Sequence, residues 1–335
     1  MPKKLRGWRR KQIQRKKRKK LRIIGLVLIV ILIIFLGWFG FKIYRSITRS
    51  IWDGQNQFNL AISSHPVFVA SFNPAEKSLN VMLIPQGTFI ETIHGYGPCR
   101  VESIYRLGEL SNKGGELFQG SLQEYLGIPV DAYASEHRTD NIEQRTKETK
   151  EFIVKMIGNL LRDRGETNLT KWDLIRLWWE FKNLRQDKIT LVDLGQTSVS
   201  QQVDLPDGTK ANKIDTERLE SIMSQFFIDK KIKEEDLTVS VLNGTNHLGL
   251  ANKVATLIKN IGGQVVGVGE IENFKSQISN LKCQIRSQKK DKNTYTVQKL
   301  MKIFGCQWGG EDLENQRSEL VLIIEEGYWE KLALP

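Results

Sequence analysis

The sequence has few of the residues that bind metals or carry redox chemistry. It contains 3 cysteines and 4 histidines in 335 residues. The histidines are scattered along the chain, and no two cysteines stand in a Cys-x-x-Cys pair. The ligand spacing of a zinc site is therefore missing, and the sequence predicts no metal centre.

Motifs for nucleotides and for acyl transfer are also missing. The run from Gly244 to Gly249 has the glycine spacing of a phosphate loop, but Leu250 and Ala251 follow it in place of lysine and serine or threonine. Gly267-Val-Gly269 lacks the third glycine of a dinucleotide fingerprint. There is no Gly-x-Ser-x-Gly sequence. These absences argue against the common nucleotide-binding and serine-hydrolase classes.

Basic charge is concentrated at one end of the chain. The formal charge is +12, and residues 1–22 hold 13 lysines and arginines without an acidic residue, so residues 23–335 together carry −1. A nearly neutral main part argues against nucleic acid as its partner. The alternative, in which the basic arm binds nucleic acid or lipid inside the cell, is weaker than control of membrane topology.

One long apolar run follows the basic block. Residues 23–41 carry no charge and, as a helix, span roughly 28 Å, about one bilayer core. The run lacks the small-residue cleavage site of a signal peptide. It predicts a single-pass transmembrane helix, with the N-terminus held in the cytoplasm by its lysines and arginines and the C-terminal domains outside.

The rest of the chain predicts two α/β domains. Apolar runs over residues 66–72 and 79–85 predict a hairpin, and a strand is predicted at 189–194. Apolar residues at helical spacing predict helices at 140–163, from Thr170, and at 215–227. The predicted organisation is a basic tail (1–22), a transmembrane helix (23–41), a linker (42–64), a first domain (65–228), a charged linker (229–236) and a second domain (237–330).

In the second domain, strands and helices alternate. Strands are predicted at 238–242, 264–268 and 320–324, with helices at 250–261 and 297–304, whereas residues 270–294 are predicted to be a polar, variable insertion. The pattern is typical of a mixed sheet flanked by helices. Cys283 and Cys306 are the plausible disulfide pair in an extracytoplasmic domain, and two buried free thiols are the open alternative.

Three short motifs in this domain carry a family resemblance. They are Val239-Ser240-Val241-Leu242-Asn243-Gly244-Thr245, Leu248-Gly249-Leu250-Ala251, and the run Gly262–Gly269. In this order they resemble the C-terminal domain of LytR-CpsA-Psr envelope proteins, over residues 236–328. The resemblance implies an accessory domain outside the cytoplasm.

The first domain resembles the catalytic domain of the same family. Leu83-Ile84-Pro85-Gln86-Gly87-Thr88 is similar to that family's Ser-Ile-Pro-Arg-Asp-Thr segment, and Leu122–Asp131 is similar to its Leu-Leu-Gly-Ile-Pro-Val-Asp segment. Enzymes of that family transfer a glycopolymer from a polyprenyl-pyrophosphate lipid to peptidoglycan, and the resemblance implies this activity. Arginines then hold the pyrophosphate and an aspartate holds magnesium.

The chain departs from this pattern at the charged positions. Gln86 and Gly87 stand where the family has arginine and aspartate, and Glu148 stands at the second arginine of a family helix whose first arginine matches Arg145. A pyrophosphate needs several cations or a metal held by carboxylates. These departures from the family pattern favour a non-catalytic scaffold or binding protein of the cell envelope that needs no cofactor.

A divergent enzyme remains the alternative hypothesis. In it, Arg100, Arg106, Asp140 and Arg145 would replace the lost residues and bind an anionic lipid or polymer, with Mg²⁺ as the cofactor. This requires the four side chains to converge in one cleft. The partners expected under either hypothesis are the membrane and peptidoglycan or a polyprenyl-linked glycopolymer.

Overall fold

The computed structural model describes residues 31–136, 146–204, 208, 210–271, 281–287, 289–310 and 317–333. The chain divides into two compact units. One contains Met1–Ser50 and Thr170–Trp172, and the other contains Ile51–Leu169 and Asp173–Pro335.

The first unit contains an apolar helix, α1 (Ile31–Thr48). It is 18 residues long with a mean hydropathy of 1.4, its side chains are not buried, and among the described residues it is the one helix that meets the length and composition of a membrane span. Residues 31–41 of the predicted span lie in it, and residues 23–30 lie outside the described residues. The helix continues through Lys42 and Arg45, which are good helix formers, to Thr48. The first residues of the predicted linker are therefore helical.

The helices of the second unit lie between or beside the strands of two sheets. In chain order they are α2 (Ile104–Glu109), α3 (Gly114–Leu126), α4 (Thr146–Leu161), α5 (Lys171–Asn183, whose first two residues group with the first unit), α6 (Thr216–Phe226), α7 (Lys230–Glu235), α8 (Leu250–Asn260), α9 (Tyr295–Phe304) and α10 (Glu326–Ala333).

The strands of the described residues fall into two large sheets and two hairpins. They are β1 (Phe58–Ser63), β2 (Val67–Asn73), β3 (Ser78–Ile84), β4 (Phe89–Glu91), β5 (Pro98–Arg100), β6 (Ala132–Glu136), β7 (Gly165–Thr167), β8 (Ile189–Asp193), β9 (Ser200–Asp204), β10 (Lys210–Ile214), β11 (Thr238–Asn243), β12 (Gln264–Glu270), β13 (Cys283–Ser287), β14 (Gln307–Trp308) and β15 (Leu320–Ile324).

The first large sheet has six strands in the order β7-β6-β1-β2-β3-β8. Strands β1, β2 and β3 are antiparallel, and β6 and β8 pair in parallel with β1 and β3. Successive side chains point to opposite faces, so the sheet has a separate core on each side. One core packs against α4 and α5, and the other against α3 and α6. The predicted hairpin of β2 and β3 is confirmed.

Strand β1 lies inside the stretch that was predicted to be a linker. Phe58, Leu60 and Ile62 point into one core and Ala61 into the other. Because β1 is a central strand, both of its faces are covered and it is apolar on both. The folded region therefore begins before His65, and the predicted linker 42–64 is wrong here too.

The second large sheet has five strands in the order β12-β11-β15-β13-β14. Strand β11 pairs in parallel with both β12 and β15, and β13 is antiparallel to β15. Helices α8 and α9 contribute the apolar side chains of its core. The predicted strands at 238–242, 264–268 and 320–324 are confirmed as β11, β12 and β15, and the mixed α/β class of both domains is confirmed.

Two polar segments were predicted wrongly. Residues 270–294, predicted to be a variable insertion, contain β13, an inner strand of the second sheet. The charged stretch 229–236, predicted to be a linker, forms α7, which begins at an Asp229 side chain that accepts a hydrogen bond from the Lys231 N–H. Acidic residues at this position stabilise helix N-termini, so the charged run that was predicted to be a linker is helical.

Candidate functional site

The loop that resembles the family's catalytic segment borders a cavity of about 370 Å³ at the end of β3. Gln86 lies in its wall, next to residues from β8, from the turn after it and from the hairpin of β9 and β10. The lining residues are Pro66, Leu83, Ile84, Pro85, Gln86, Asp193, Gly195, Gln196, Gln202 and Asn212. If the chain had a transferase site like that of the family it resembles, the site would lie at this cavity, which we call the Gln86 cavity.

The backbone of the loop is held by hydrogen bonds to its own neighbours. The Gly87 N–H donates to both carboxylate oxygens of Glu102 at 3.1 Å. The Asn212 side-chain amide donates to the Gln86 carbonyl at 2.6 Å. Gly87 has a φ of 74°, which glycine adopts without the strain of a side chain. The Gly87 N–H is the backbone donor that follows Gln86, and it is therefore already bound to the negatively charged carboxylate of Glu102.

The wall of the Gln86 cavity has no cation among its described residues. Its one charged side chain, Asp193, accepts hydrogen bonds from the Gly195 N–H at 2.9 Å and from the Gln196 amide at 3.0 Å. The other polar groups are side-chain amides. A pyrophosphate bound here would face neutral dipoles and one carboxylate, without the charge-assisted hydrogen bonds that phosphates require.

The same residues do not fit a magnesium ion. Mg²⁺ in phosphate sites is held by one or two carboxylates, but Gly87 has no side chain and the Asp193 carboxylate is engaged with Gly195 and Gln196. Within the described ranges, no group of three His, Cys, Asp or Glu side chains could hold a metal.

The four candidate binding residues divide between two parts of the chain. Arg100 is half-buried at the end of β5, with its guanidinium 5.7 Å from the Phe89 ring centre. Arg106 is exposed on α2. Neither lines the Gln86 cavity. Asp140 and Arg145 lie outside the described residues, so the proposed convergence of all four stays a prediction.

A second cavity, of about 400 Å³, opens beside the start of α3. It is lined by the phenol of Tyr133, by carboxylates, by amides and by two lysines. The full lining is Ile93, Glu109, Asn112, Lys113, Gly114, Gly115, Glu116, Gln119, Gly120, Gln123, Tyr133, Glu166, Asn168 and Lys331. Such a wall offers many hydrogen-bond partners to a polar group.

Hydrogen bonds and burial set the electrostatics of this second cavity. The Tyr105 hydroxyl donates to Glu166 at 2.5 Å. Burial, followed by this hydrogen bond and the Glu166 charge, raises the pKa of Tyr105 well above its usual range. Burial and the neighbouring Lys282 lower the pKa of Lys331, while Glu124 and Glu116 oppose that shift.

Sequence reasoning missed the second cavity for a local reason. Gly114 and Gly115 are a helix-breaking pair by propensity, so no sequence pattern predicted that α3 begins at Gly114. A Cβ on Gly115 would lie 1.9 Å from the Tyr133 ring. The glycine is needed there because the ring packs directly on the helix backbone.

The cysteines of the second domain form a disulfide. Cys283 in β13 is bonded to Cys306, which follows α9, across 23 residues of chain. Cys99 is a half-buried free thiol, and burial, its largest influence, raises its pKa. The bond ties the strand that was predicted to be an insertion to the helix that covers the sheet.

A comparison with known protein families finds a match over the second domain. Residues 236–328 match the family model of the LytR C-terminal domain, described as LytR cell envelope-related transcriptional attenuator. No curated protein matches the chain. The matched residues contain all five strands of the second sheet.

Among solved structures, the chain is similar to proteins from two bacteria. TagT from Bacillus subtilis is 15% identical with a TM-score of 0.39, over 52% of this chain and 91% of that chain. The values are 15% and 0.39, over 52% and 90%, for the LytR-CPS2A-psr family protein YwtF (TagT) with bound octaprenyl pyrophosphate lipid. Lin1025 from Listeria innocua is 13% identical with a TM-score of 0.37, over 51% and 97%. The family-model match, and not these structures, supports the resemblance of residues 236–328 to the LytR C-terminal domain.

Proposed function

We propose that this chain is a membrane-anchored protein of the cell envelope that acts as a non-catalytic scaffold or binding protein. Three observations support the proposal: the apolar helix α1, the basic block of residues 1–22 that precedes it, and the LytR C-terminal domain match at 236–328. In this arrangement the N-terminus stays in the cytoplasm and both α/β domains face outside.

The Gln86 cavity carries the non-catalytic part of the proposal. The position of the family arginine holds an amide, the position of the aspartate holds Gly87, and the Gly87 N–H already donates to Glu102. A pyrophosphate and the Glu102 carboxylate would repel one another, and the described wall offers no cation to offset that repulsion.

The expected partners are the membrane and wall material. Without a pyrophosphate-binding wall, the first domain would bind peptidoglycan or its attached glycopolymer by hydrogen bonds through polar surfaces. The divergent-enzyme alternative, with Arg100, Arg106, Asp140 and Arg145 as its binding residues and Mg²⁺ as its cofactor, draws no support from the part of the site that the structure describes.

The test uses the full-length protein in lipid nanodiscs. We expect it to co-sediment with purified wall material and to transfer no polymer from a polyprenyl-pyrophosphate carrier to peptidoglycan, with or without Mg²⁺. Transfer that requires Mg²⁺ and is lost in an Arg100→Ala, Arg106→Ala variant would establish the enzyme instead. Failure to co-sediment would remove wall binding.

The membrane topology has its own test. A reporter that is active only outside the cytoplasm, fused after Pro335, should be active in cells. Exchanging the lysines and arginines of residues 1–22 for glutamine should reduce that activity, because these charges set the orientation of the span. A fusion that reports only from the cytoplasm would contradict the proposed orientation.

A further inference from the structure

Helix α5 has apolar side chains on both of its faces. Leu174, Leu177 and Phe181 lie in the core against the first sheet. On the outer face, Ile175 is 49% exposed and Trp179 is 63% exposed. Residues four apart are neighbours on a helix surface, so these two side chains form one apolar patch that faces solvent.

The start of α5 is bound to the segment that follows the membrane helix. The Asp173 carboxylate accepts hydrogen bonds from the backbone N–H groups of Ile51 and Trp52, both at 3.2 Å. The Arg176 guanidinium donates to the Trp52 carbonyl at 3.0 Å and lies 5.2 Å from the Trp52 ring centre. These contacts fix the first turns of α5 to residues 51 and 52.

Chain length keeps this junction close to the bilayer. Helix α1 ends at Thr48, and three residues of extended chain to Ile51 reach at most about 10 Å. From Phe41, the last residue of the uncharged run, to Thr48, the helix rises about 10 Å. The headgroup region on each side of a bilayer core is roughly 5–8 Å thick. A 13-residue helix such as α5 is about 20 Å long, so its outer face is within reach of the headgroups.

The side chains around the patch have the chemistry of a membrane interface. Trp179 is an exposed tryptophan, and tryptophan is the residue that accumulates at the headgroup level. Lys171 and Lys182 are exposed at the two ends of α5, and the Lys182 ammonium lies 4.6 Å from the Trp178 ring centre. Lysines beside a membrane are attracted to anionic headgroups.

From these contacts we propose that the outer face of α5, with Ile175 and Trp179 at its centre, docks on the headgroup layer of the membrane that α1 spans. The occupant is a lipid surface that contains anionic phospholipid. Docking adds a second attachment to the membrane beside the anchor. It restricts rotation of the first domain relative to the membrane. The inference depends on α1 being inserted, which is part of the proposed function.

The test measures tryptophan quenching in the full-length protein. The protein is reconstituted into vesicles of phosphatidylcholine and phosphatidylglycerol, with and without bromine on the acyl chains near the headgroup. Trp179→Phe, Trp38→Phe and Trp329→Phe variants are compared with the unchanged protein. Phenylalanine keeps an apolar ring at each position, and Trp329 is the matched control because it stacks on His247 in the second domain.

The expected result is that Trp38→Phe and Trp179→Phe each lower the bromine-quenched fluorescence, whereas Trp329→Phe leaves it unchanged. The Trp179 contribution should also fall when phosphatidylglycerol is omitted. If Trp38→Phe lowers the quenched signal and Trp179→Phe does not, α1 is inserted but α5 does not dock. If neither changes it, the anchor itself is disproved.

A protein occupant has a different outcome. Shielding of Trp179 from a water-soluble quencher without quenching by brominated lipid would mean that a second copy or another protein covers the face. That result overturns docking on lipid. An Ile175→Cys variant in a Cys99→Ser background then identifies a second copy by disulfide cross-linking.

Discussion

The ammonium of Lys299 in α9 lies 3.6 Å from a carboxylate oxygen of Asp131, and the two side chains are only 9% and 7% exposed. Asp131 ends the segment that resembles the family's Leu-Leu-Gly-Ile-Pro-Val-Asp sequence, and its other oxygen accepts from the Asn59 N–H at 2.9 Å. Lys299 also donates to the Gln57 carbonyl at 3.3 Å. A residue of the catalytic-like segment therefore holds the second domain against the first.

Removing one member of this buried pair should be costly. Lys299→Met leaves the Asp131 charge buried without its partner, which is expected to lower the free energy of unfolding by about 3 kcal/mol. Lys302→Met is the matched control, because Lys302 is exposed and donates to the Ile51 carbonyl. Its expected cost is below about 0.5 kcal/mol. Denaturant unfolding in detergent measures both, and equal costs would show that the pair contributes little.

The disulfide makes a prediction about the second domain. A bond that closes a loop of 23 residues limits the unfolded chain, and its loss is expected to cost about 3 kcal/mol. The Cys283→Ala, Cys306→Ala variant should therefore unfold at lower temperature, while Cys99→Ala should change little. Mass spectrometry after alkylation should find one labelled cysteine in the unfolded protein before reduction and three after it. Three labels before reduction would contradict the bond.

Glu124 makes a prediction about pH. Burial is the largest influence and raises the pKa of Glu124 above its ordinary 4.5, while the charge of Lys253 and the Tyr328 hydrogen bond oppose the shift. An acid with a raised pKa in the folded state is stabilising when protonated, and this contribution is lost as the pH rises through 4.5 to the folded value.

The Glu124→Gln variant tests this sign. Glutamine keeps an oxygen that can accept from the Tyr328 hydroxyl, which lies 3.2 Å away, and removes the charge. We expect the variant to be more stable than the unchanged protein at pH 7 and equally stable near pH 4. The control is Glu220→Gln, because Glu220 is an exposed glutamate that lines a small cavity together with Glu124. A stability difference that does not vary with pH would contradict the prediction.

Gly108 makes a prediction about packing between α2 and α3. A Cβ at this position would lie 2.7 Å from the Gly114 Cα and 2.9 Å from the Lys113 carbonyl oxygen. Both atoms belong to the backbone, so the helices would have to separate. Gly108→Ala is expected to destabilise the protein by about 2 kcal/mol.

The matched control for Gly108 is Gly158 in α4. A Cβ on Gly158 would meet no atom within 4 Å, so Gly158→Ala should stabilise the protein by up to about 1 kcal/mol through helix propensity. Both values come from denaturant unfolding of the same preparation. If the two alanines have the same effect, the close approach at Gly108 does not limit the fold.

Segments with a clear apolar period could be predicted from sequence. The hairpin of β2 and β3 and the helices α6, α8 and α9 lie within a few residues of their predicted positions because their core faces repeat with periods of 2 or 3.6. Strand β13 has no such signal. Its buried positions are Cys283, Ile285 and Ser287, and the Ser287 hydroxyl is satisfied by Asp291 at 2.9 Å.

The sequence did not predict helix α7, because its charged side chains bind groups that lie far away in the chain. The Glu235 carboxylate accepts hydrogen bonds from the N–H groups of Tyr295 and Thr296 at 2.8 and 2.7 Å, which cap the start of α9. The sequence does not show the contact with α9, and without it a run of lysines and glutamates is indistinguishable from a solvated linker.

The candidate site could be located from sequence but not evaluated. The motif around Gln86 and Gly87 indicated where a transferase site would lie and which charged groups it had lost. That the Glu102 carboxylate occupies the Gly87 N–H, and that Arg100 and Arg106 lie away from the cavity, follows only from how β3, β5 and α2 pack.

The sequence alone predicts the apolar span, a cytoplasmic N-terminus and the periodic elements of both domains, since these predictions depend on residue types a few positions apart. Tertiary packing alone sets the strand order, the pairing of Lys299 with Asp131 and the exposure of Trp179. Each of these depends on residues far apart in the chain. Their proximity is set by how whole sheets and helices pack, which no local pattern of residue types records.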